Sequence, residues 1–462
     1  MPARYSRSRS ILPSLSRHPL PAVALLLLAL FLPSPRLLAS GERPNVLLIT
    51  VDTLRSDRLS SYGYRRPTTP AIDGLLRSGA RFANARTVEP LTAPAMASML
   101  TSRYPQDHGT TRNALKVRPG LSSVSKILRR NGYLTTAFVS NWTLAKDISG
   151  LHEHFHLYEE VLTRKRWLGM FKEEADAIDV TDAVIEWLGD WSEDSDAPFF
   201  VWAHYTDPHE PYRFRSEFAR RLKIESATER PSPSDRYDTE IAATDAAIGQ
   251  LLEFVRKEAD AGRETLIVFS ADHGENFGEH GAWGHGRHLW EDAVRIPLGF
   301  TWASRIRPSV ISKDARIIDI GPTILGLLKI GAPDAFAGFD WSPVLLGNKP
   351  APSLPTLMQA HRGAVLPGRD AEMARERGLL EVAVIENSIK TYWFPRTKTL
   401  RAYNLRTDPD EAHDMSATAG EASGLLDGWT ADLSMKLRKN QELPAALDQE
   451  AIDKLKALGY LQ

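Results

Sequence analysis

Asp52, Thr92, His209, Asp272 and His273 are residue types that could work together on an anion. Two carboxylates and an imidazole suit a divalent metal. A hydroxyl beside such a metal loses its proton more readily and becomes a nucleophile. A further imidazole can give a proton to a departing oxygen. Thr92 stands in Thr92-Ala-Pro94-Ala-Met96-Ala-Ser-Met-Leu, which predicts a helix with Thr92 as its N-cap and Pro94 just inside. The free amides and positive dipole end of that helix favour an alkoxide or a tetrahedral oxyanion. Taken alone, such a helix start is only a cap; its neighbours decide whether it does chemistry.

The elements that must position these residues are legible as strands. Asn45-Val-Leu-Leu-Ile-Thr-Val51 is a continuous apolar run ending at Asp52, as expected of a strand buried on both faces. Similar runs span 132–139, 198–205 and 265–270; the last two lead into Thr206-Asp-Pro-His209 and Ala271-Asp272-His273. Residues 70–79, then Val180, Val184, Trp187 and Leu188, then Ile241, Ile248, Leu251, Leu252 and Val255 have helical spacing. The alternation predicts an α/β fold: a mostly parallel sheet with helices on both faces. In such sheets ligands bind beyond the carboxyl ends of the strands, where the candidate residues fall. The Ser/Pro/Arg-rich stretch 228–236 reads as a surface loop. His152, His154 and His156 read as one solvated strand face. After about Leu346 the pattern changes to short strands at 380–385, 389–394 and 400–405. They predict a small antiparallel sheet followed by helices, with a boundary in the Pro-rich segment 349–355. The expected organisation is a catalytic domain at 41–348 and a C-terminal subdomain at 349–462.

Lys plus Arg number 57 against 58 Asp plus Glu, so no bulk field argues for nucleic acid. The chain contains no cysteine, which removes disulfides and thiolate ligands. Residues 1–40 combine Arg4, Arg7, Arg9 and Arg17 with an apolar run at 22–32 and a small-residue end at Ser40-Gly41. This pattern predicts a cleaved signal peptide and an exported protein, periplasmic or secreted; an uncleaved N-terminal anchor is the alternative. No other stretch is apolar enough to span a membrane.

The candidate residues lie in a longer series. It runs from Pro44-Asn-Val-Leu-Leu-Ile-Thr-Val-Asp52-Thr-Leu-Arg-Ser-Asp57 through Tyr62-Gly63, Thr92-Ala-Pro94, Leu100-Thr-Ser-Arg-Tyr-Pro105 and His108-Gly109. It continues with Asp207-Pro-His209-Glu-Pro-Tyr212, Ser270-Ala-Asp272-His273-Gly-Glu-Asn-Phe-Gly278, Trp283-Gly-His285-Gly286, Tyr403-Asn-Leu405 and Asp408-Pro409. In order and spacing this series resembles the sulfatase family of the alkaline-phosphatase superfamily. The resemblance implies Asp52, Asp272 and His273 as metal ligands with Thr92 joining them, and Thr92 at the nucleophile position. It implies His209 near the leaving group, and His285 where many sulfatases carry a lysine on the ester oxygen. His280 is a nearby rival for that place, and Ser98 is the nearest alternative nucleophile. Asp57 and His108 read as structural.

Three departures from the family pattern matter. Sulfatases use a formylglycine made from Cys or Ser; with Thr92 and no cysteine, none is expected here. The family's arginine four positions on is Met96. A Lys and His two residues apart fall on Asn141 and Thr143, expected to face substrate; Asn141-Trp-Thr143 is also formally a glycosylation sequon. A threonine adduct cannot collapse by the elimination open to a hydrated aldehyde, and must be released by attack at the central atom. That favours phosphoryl over sulfuryl transfer. The expectation is a sulfatase-like hydrolase with one divalent metal, zinc, manganese or calcium, acting on a small-molecule, glycan-linked or lipid-linked sulfate or phosphate ester. The lean is to phosphodiesters or phosphonate esters. A phosphoethanolamine-type transferase and a non-catalytic glycan-binding homologue are the alternatives.

Overall fold

Strand β1 (Asn45–Val51) has every residue buried, as its unbroken apolar run requires. In the computed structural model, which describes residues 43–166, 171–224, 231–260, 262–362, 378–418, 423–439 and a few positions from 443 to 453, β1 lies at the middle of the main sheet. The predicted signal segment 1–40 lies outside the described residues. Further strands are β2 (Ala80–Arg86), β3 (Leu134–Val139), β4 (Leu157–Glu160), β5 (Phe199–Tyr205), β6 (Thr265–Ala271), β7 (Leu298–Thr301) and β8 (Ser309–Arg316). Across the sheet the order is β2-β7-β6-β1-β5-β3-β4, with β8 and the short edge Arg295–Ile296 both on β2. The pairs β6-β1, β1-β5, β5-β3, β3-β4 and β2-β8 are parallel; only β7 and the Arg295–Ile296 edge run against their neighbours.

Helices α1 (Pro70–Ser78), α2 (Thr92–Thr101), α3 (Ala177–Asp194) and α4 (Pro233–Asp260) help to cover the sheet. The stretch expected as a loop over 228–236 gives way to helix at Pro233, a favoured first-turn residue. The histidines expected on a strand also differ. His152 and His154 belong to a 3₁₀ turn, Leu151–His154, with His154 buried and only His156 beyond it. Val46, Leu47, Leu48, Ile49 and Val51 are wholly buried. At about 1.5–3 kcal/mol each, they make the strand that ends at Asp52 one of the firmest elements of the fold.

The C-terminal strands β9 (Thr356–His361), β10 (Leu379–Glu386), β11 (Ile389–Phe394) and β12 (Thr399–Asn404) form one antiparallel sheet in chain order. Helix α5 (Ser423–Lys439) follows, with Leu426 and Leu433 buried. This sheet is tied to the segment before α2: Gln359 N–H donates to the Val88 carbonyl at 3.0 Å. His361 pairs with the buried Glu89 at 2.9 Å.

Candidate metal and active site

Asp52 is held at the end of β1 by its N–H, which donates to the Tyr205 carbonyl of β5 at 2.8 Å. Thr53 then turns with φ of 53°, a left-handed conformation uncommon for a β-branched residue. That turn lets the Thr53 N–H donate to Asp272 Oδ1 at 3.0 Å. The His273 N–H donates to the same oxygen at 2.7 Å. Asp272 is thus fixed through one oxygen, while its Oδ2 and Asp52 Oδ1 are buried with no hydrogen-bond partner. His273 uses Nδ1 on the Gly274 carbonyl, 2.9 Å away, which leaves Nε2 as a lone pair. That nitrogen lies 3.3 Å from Asp272 Oδ2, 3.9 Å from Asp52 Oδ1 and 3.4 Å from Thr92 Oγ1. Gly274 permits the approach, because a Cβ there would stand 2.0 Å from the Asp292 carbonyl oxygen.

Lone pairs gathered without donors in a dry pocket are unfavourable unless a cation joins them. Asp52, Thr92, Asp272 and His273 therefore fit a divalent metal by donor type, and Asp52 and Asp272 also by their unsatisfied oxygens. Burial alone would raise the Asp52 carboxyl. His204, His209 and His273 outweigh it and hold Asp52 far below the usual carboxylate range. Burial and the Asp52 charge push Asp272 well above that range. Burial and the neighbouring His285 take His273 down to about 3, so its lone pair is available. His204 joins the group: one ligand atom each of Asp52, His204 and Asp272 lie within 4.8 Å of one another. It was not among the sequence candidates. The available signal was a histidine in an apolar strand whose ladder partner, Thr50, precedes Asp52 by two residues.

Thr92 is fully buried at the start of α2, but it is not the cap. Leu91 holds the extended cap position and its carbonyl accepts from Ala95 N–H at 2.9 Å. The Thr92 hydroxyl is turned to His273 instead, so a tertiary contact overrides the capping preference. One orphan amide of the first turn, Ala93 N–H, donates at 3.1 Å to Asn113 Oδ1. Asn113 was also missed; its Nδ2 is buried beside this turn without a partner. Met96 is wholly buried in the apolar core.

His209, His273 and His285 form a row: ring centroids are 5.1 Å apart for His209 and His285, and 4.5 Å for His285 and His273. His285 Nδ1 lies 3.1 Å from Glu275 Oε1. Burial pulls the His285 pKa down, but the Glu275 charge and hydrogen bond win and raise it. Gly286 brings this segment against the start of α2, since a Cβ there would meet Leu91 at 2.5 Å. His280 is exposed and stacks on Trp290 at 4.0 Å, away from this row of rings. Ser98 is engaged by His108 Nε2 at 2.9 Å, and Asp57 by Arg55 at 2.8 Å.

Asn141 and Thr143, expected to face substrate, are engaged elsewhere. Asn141 Nδ2 donates to Asp52 Oδ2, and Asn141 Oδ1 accepts from both the N–H and the hydroxyl of Thr143 at 2.8 Å. Asn141 is buried, so the sequon presents no exposed acceptor in the folded protein.

The sulfatase family profile matches residues 44–330. An ulvan-active sulfatase of Formosa agariphila is 26% identical, over 67% of this chain and 66% of its own length. An N-acetylglucosamine-6-O-sulfatase of Bacteroides thetaiotaomicron is 24% identical over 83% of each. A phosphonate monoester hydrolase of Silicibacter pomeroyi superposes with a TM-score of 0.63 at 17% identity, covering 86% of this chain and 96% of that one. With most of the described chain inside that match and the same mixed sheet as these structures, the chain belongs to the sulfatase family.

Proposed function

We propose that this sulfatase-family hydrolase cleaves phosphoric or sulfuric esters by attack of Thr92, without a formylglycine, and prefers phosphodiesters and phosphonate monoesters. The observation that carries the reading is the buried Thr92 hydroxyl, 3.4 Å from His273 Nε2 among carboxylate oxygens that lack donors. A divalent metal held by Asp52, Asp272, His273 and Thr92 would supply positive charge that eases loss of the hydroxyl proton to water. Thr92 Oγ1 forms the new ester bond as the leaving oxygen departs with a proton from His285, whose acid form Glu275 favours. His209, against the same ring, borders the leaving group. Water then attacks the central atom and gives a proton to His285, and Thr92 departs, regaining its hydroxyl proton from water.

The substrate preference follows from charge. Met96, Asn141 and Thr143 bring no positive charge to the pocket, so a phosphate monoester dianion is poorly neutralised there. Esters with a singly charged transferring group are better matched. The basic and apolar sequence pattern of residues 1–40 supports export on this reading. Among the described residues no helix is long and apolar enough to cross a membrane.

The test is kcat/KM for matched p-nitrophenyl phosphodiester, phosphonate, phosphate and sulfate esters on metal-reconstituted protein. The diester or phosphonate should be cleaved fastest. Aryl sulfate as the best substrate of the unmodified protein would refute the preference.

A further inference from the structure

His204 stands close enough to Asp52 and Asp272 to pass for a third metal ligand, yet the hydrogen bonds around its ring point elsewhere. Thr50 and His204 face each other across the β1-β5 ladder. Trp202, two residues earlier in β5, has an indole N–H that can only donate, and it donates to Thr50 Oγ1 at 2.9 Å. The Thr50 hydroxyl proton then has His204 Nδ1, 2.8 Å away, as its side-chain partner. A neutral imidazole that accepts at Nδ1 carries its proton on Nε2. That nitrogen is buried, has no hydrogen-bond partner within normal reach, and lies 3.7 Å from Asp52 Oδ2. The opposite tautomer would strand the Thr50 hydroxyl proton in a dry interior and set a lone pair against a carboxylate, both unfavourable.

We propose that Trp202, Thr50 and His204 form a fixed donor chain ending on Asp52 Oδ2, so that His204 is a positioning residue and not a metal ligand. Asn141 Nδ2 reaches the same oxygen from another strand end. Asn141 then bonds the outer oxygen of Asp52, the His204 N–H faces it at 3.7 Å, and Oδ1, which has no donor, is left for the metal. Donors behind a ligating carboxylate fix its orientation and govern affinity without touching the ion. The inference rests on Asp52 being a ligand. It leaves His273 as the one imidazole on the metal.

The test uses zinc-loaded full-length protein, with imidazole ligands counted by X-ray absorption and affinity measured by chelator competition. Wild type should show one coordinated imidazole. His204→Ala should still show one, while affinity falls about 10–100-fold. His204→Gln, whose amide N–H can still donate to Asp52, should recover most of the loss. Thr50→Val should weaken binding in the same direction, and adding it to His204→Ala should cost nothing further. Two imidazoles in wild type falling to one in His204→Ala would overturn the proposal, as would unchanged affinity in His204→Ala. Should His204→Ala fail to fold, Thr50→Val and His204→Gln decide: equal affinity to wild type in Thr50→Val overturns it. Asp52→Ala separates the two levels, because metal bound as tightly in that variant would remove the metal-site reading itself.

Discussion

Two clusters of buried charge differ in one respect that separates support from chemistry. Around Lys390, which is wholly buried, the charges close on each other. Its ammonium lies 2.9 Å from Glu291 and 3.1 Å from Glu411; Glu291 also meets Arg86 at 2.8 Å, and Arg86 meets Asp314 at 2.6 Å. Tyr392 donates to Glu411 at 2.5 Å. No buried side-chain atom of these residues lacks a partner. Around Asp52 the reverse holds: Asp52 Oδ1 and Asp272 Oδ2 are buried without hydrogen bonds. The first cluster joins the C-terminal sheet to the segment after His285 and is complete without any ligand. The second leaves buried carboxylate oxygens of the kind that suit a cation. Burial alone would not have told them apart; the unsatisfied atoms do.

The largest expected effects come from the incomplete cluster. Thr92→Ala should reduce turnover by roughly three or more orders of magnitude while the protein stays folded, measured by steady-state kinetics beside circular dichroism. Asp272→Ala should lose bound metal as well, by elemental analysis. At the complete cluster the order reverses. Lys390→Ala leaves Glu291 and Glu411 without their shared ammonium and should cost about 3–5 kcal/mol of stability in denaturant titration. The kcat of the folded fraction should hardly change. A Lys390 variant with native stability and lost turnover would break the contrast.

A third prediction sharpens it through pH. Because the folded pKa of Asp272 is raised, the native state keeps a proton that the unfolded chain has released. Its contribution to stability is therefore full below the unfolded value of 3.8 and is lost as pH rises through the folded value. Metal-free Asp272→Asn should then be more stable than metal-free wild type at neutral pH, with a flatter pH dependence. Loaded wild type should reverse that ranking. Thermal melts with and without a chelator read both. The smallest effect concerns the proton donor. The His285 pKa is raised by Glu275, so activity that needs its acid form should fall as pH rises through a value above 6.5. Glu275→Gln should move that alkaline limb to lower pH in the kcat/KM profile.

How much of this was legible in the sequence depended on whether the cause was local. Strands β1, β5 and β6 were readable because each is an unbroken apolar run, and the parallel sheet followed from them; the C-terminal antiparallel sheet was readable from its own short strands after Leu346. Strand β2, Ala-Arg-Phe-Ala-Asn-Ala-Arg, and strand β8, with Ser-Lys-Asp inside it, were not, because their pairing rather than their composition makes them strands. Four-residue β7 is too short to show a period. Asp52, Thr92, Asp272 and His273 could be picked out because each sits at an element end, and the fold gathers them. His204 and Asn113 could not, since their importance lies in a neighbour on another strand or loop. The Thr92 cap was misread for the same reason: propensity favours threonine there, but the hydroxyl is taken by His273 across the site.

The reaction proposed for this site requires an unmodified Thr92 as its nucleophile. Its most direct test is acid quench of the enzyme during turnover of a slow p-nitrophenyl phosphodiester, followed by peptide mass spectrometry. The account predicts a phosphoryl-ester adduct on Thr92 during turnover and unmodified threonine in the resting enzyme. An adduct on Ser98 or any other residue, or burst release of p-nitrophenol with Thr92 unlabelled, would contradict it.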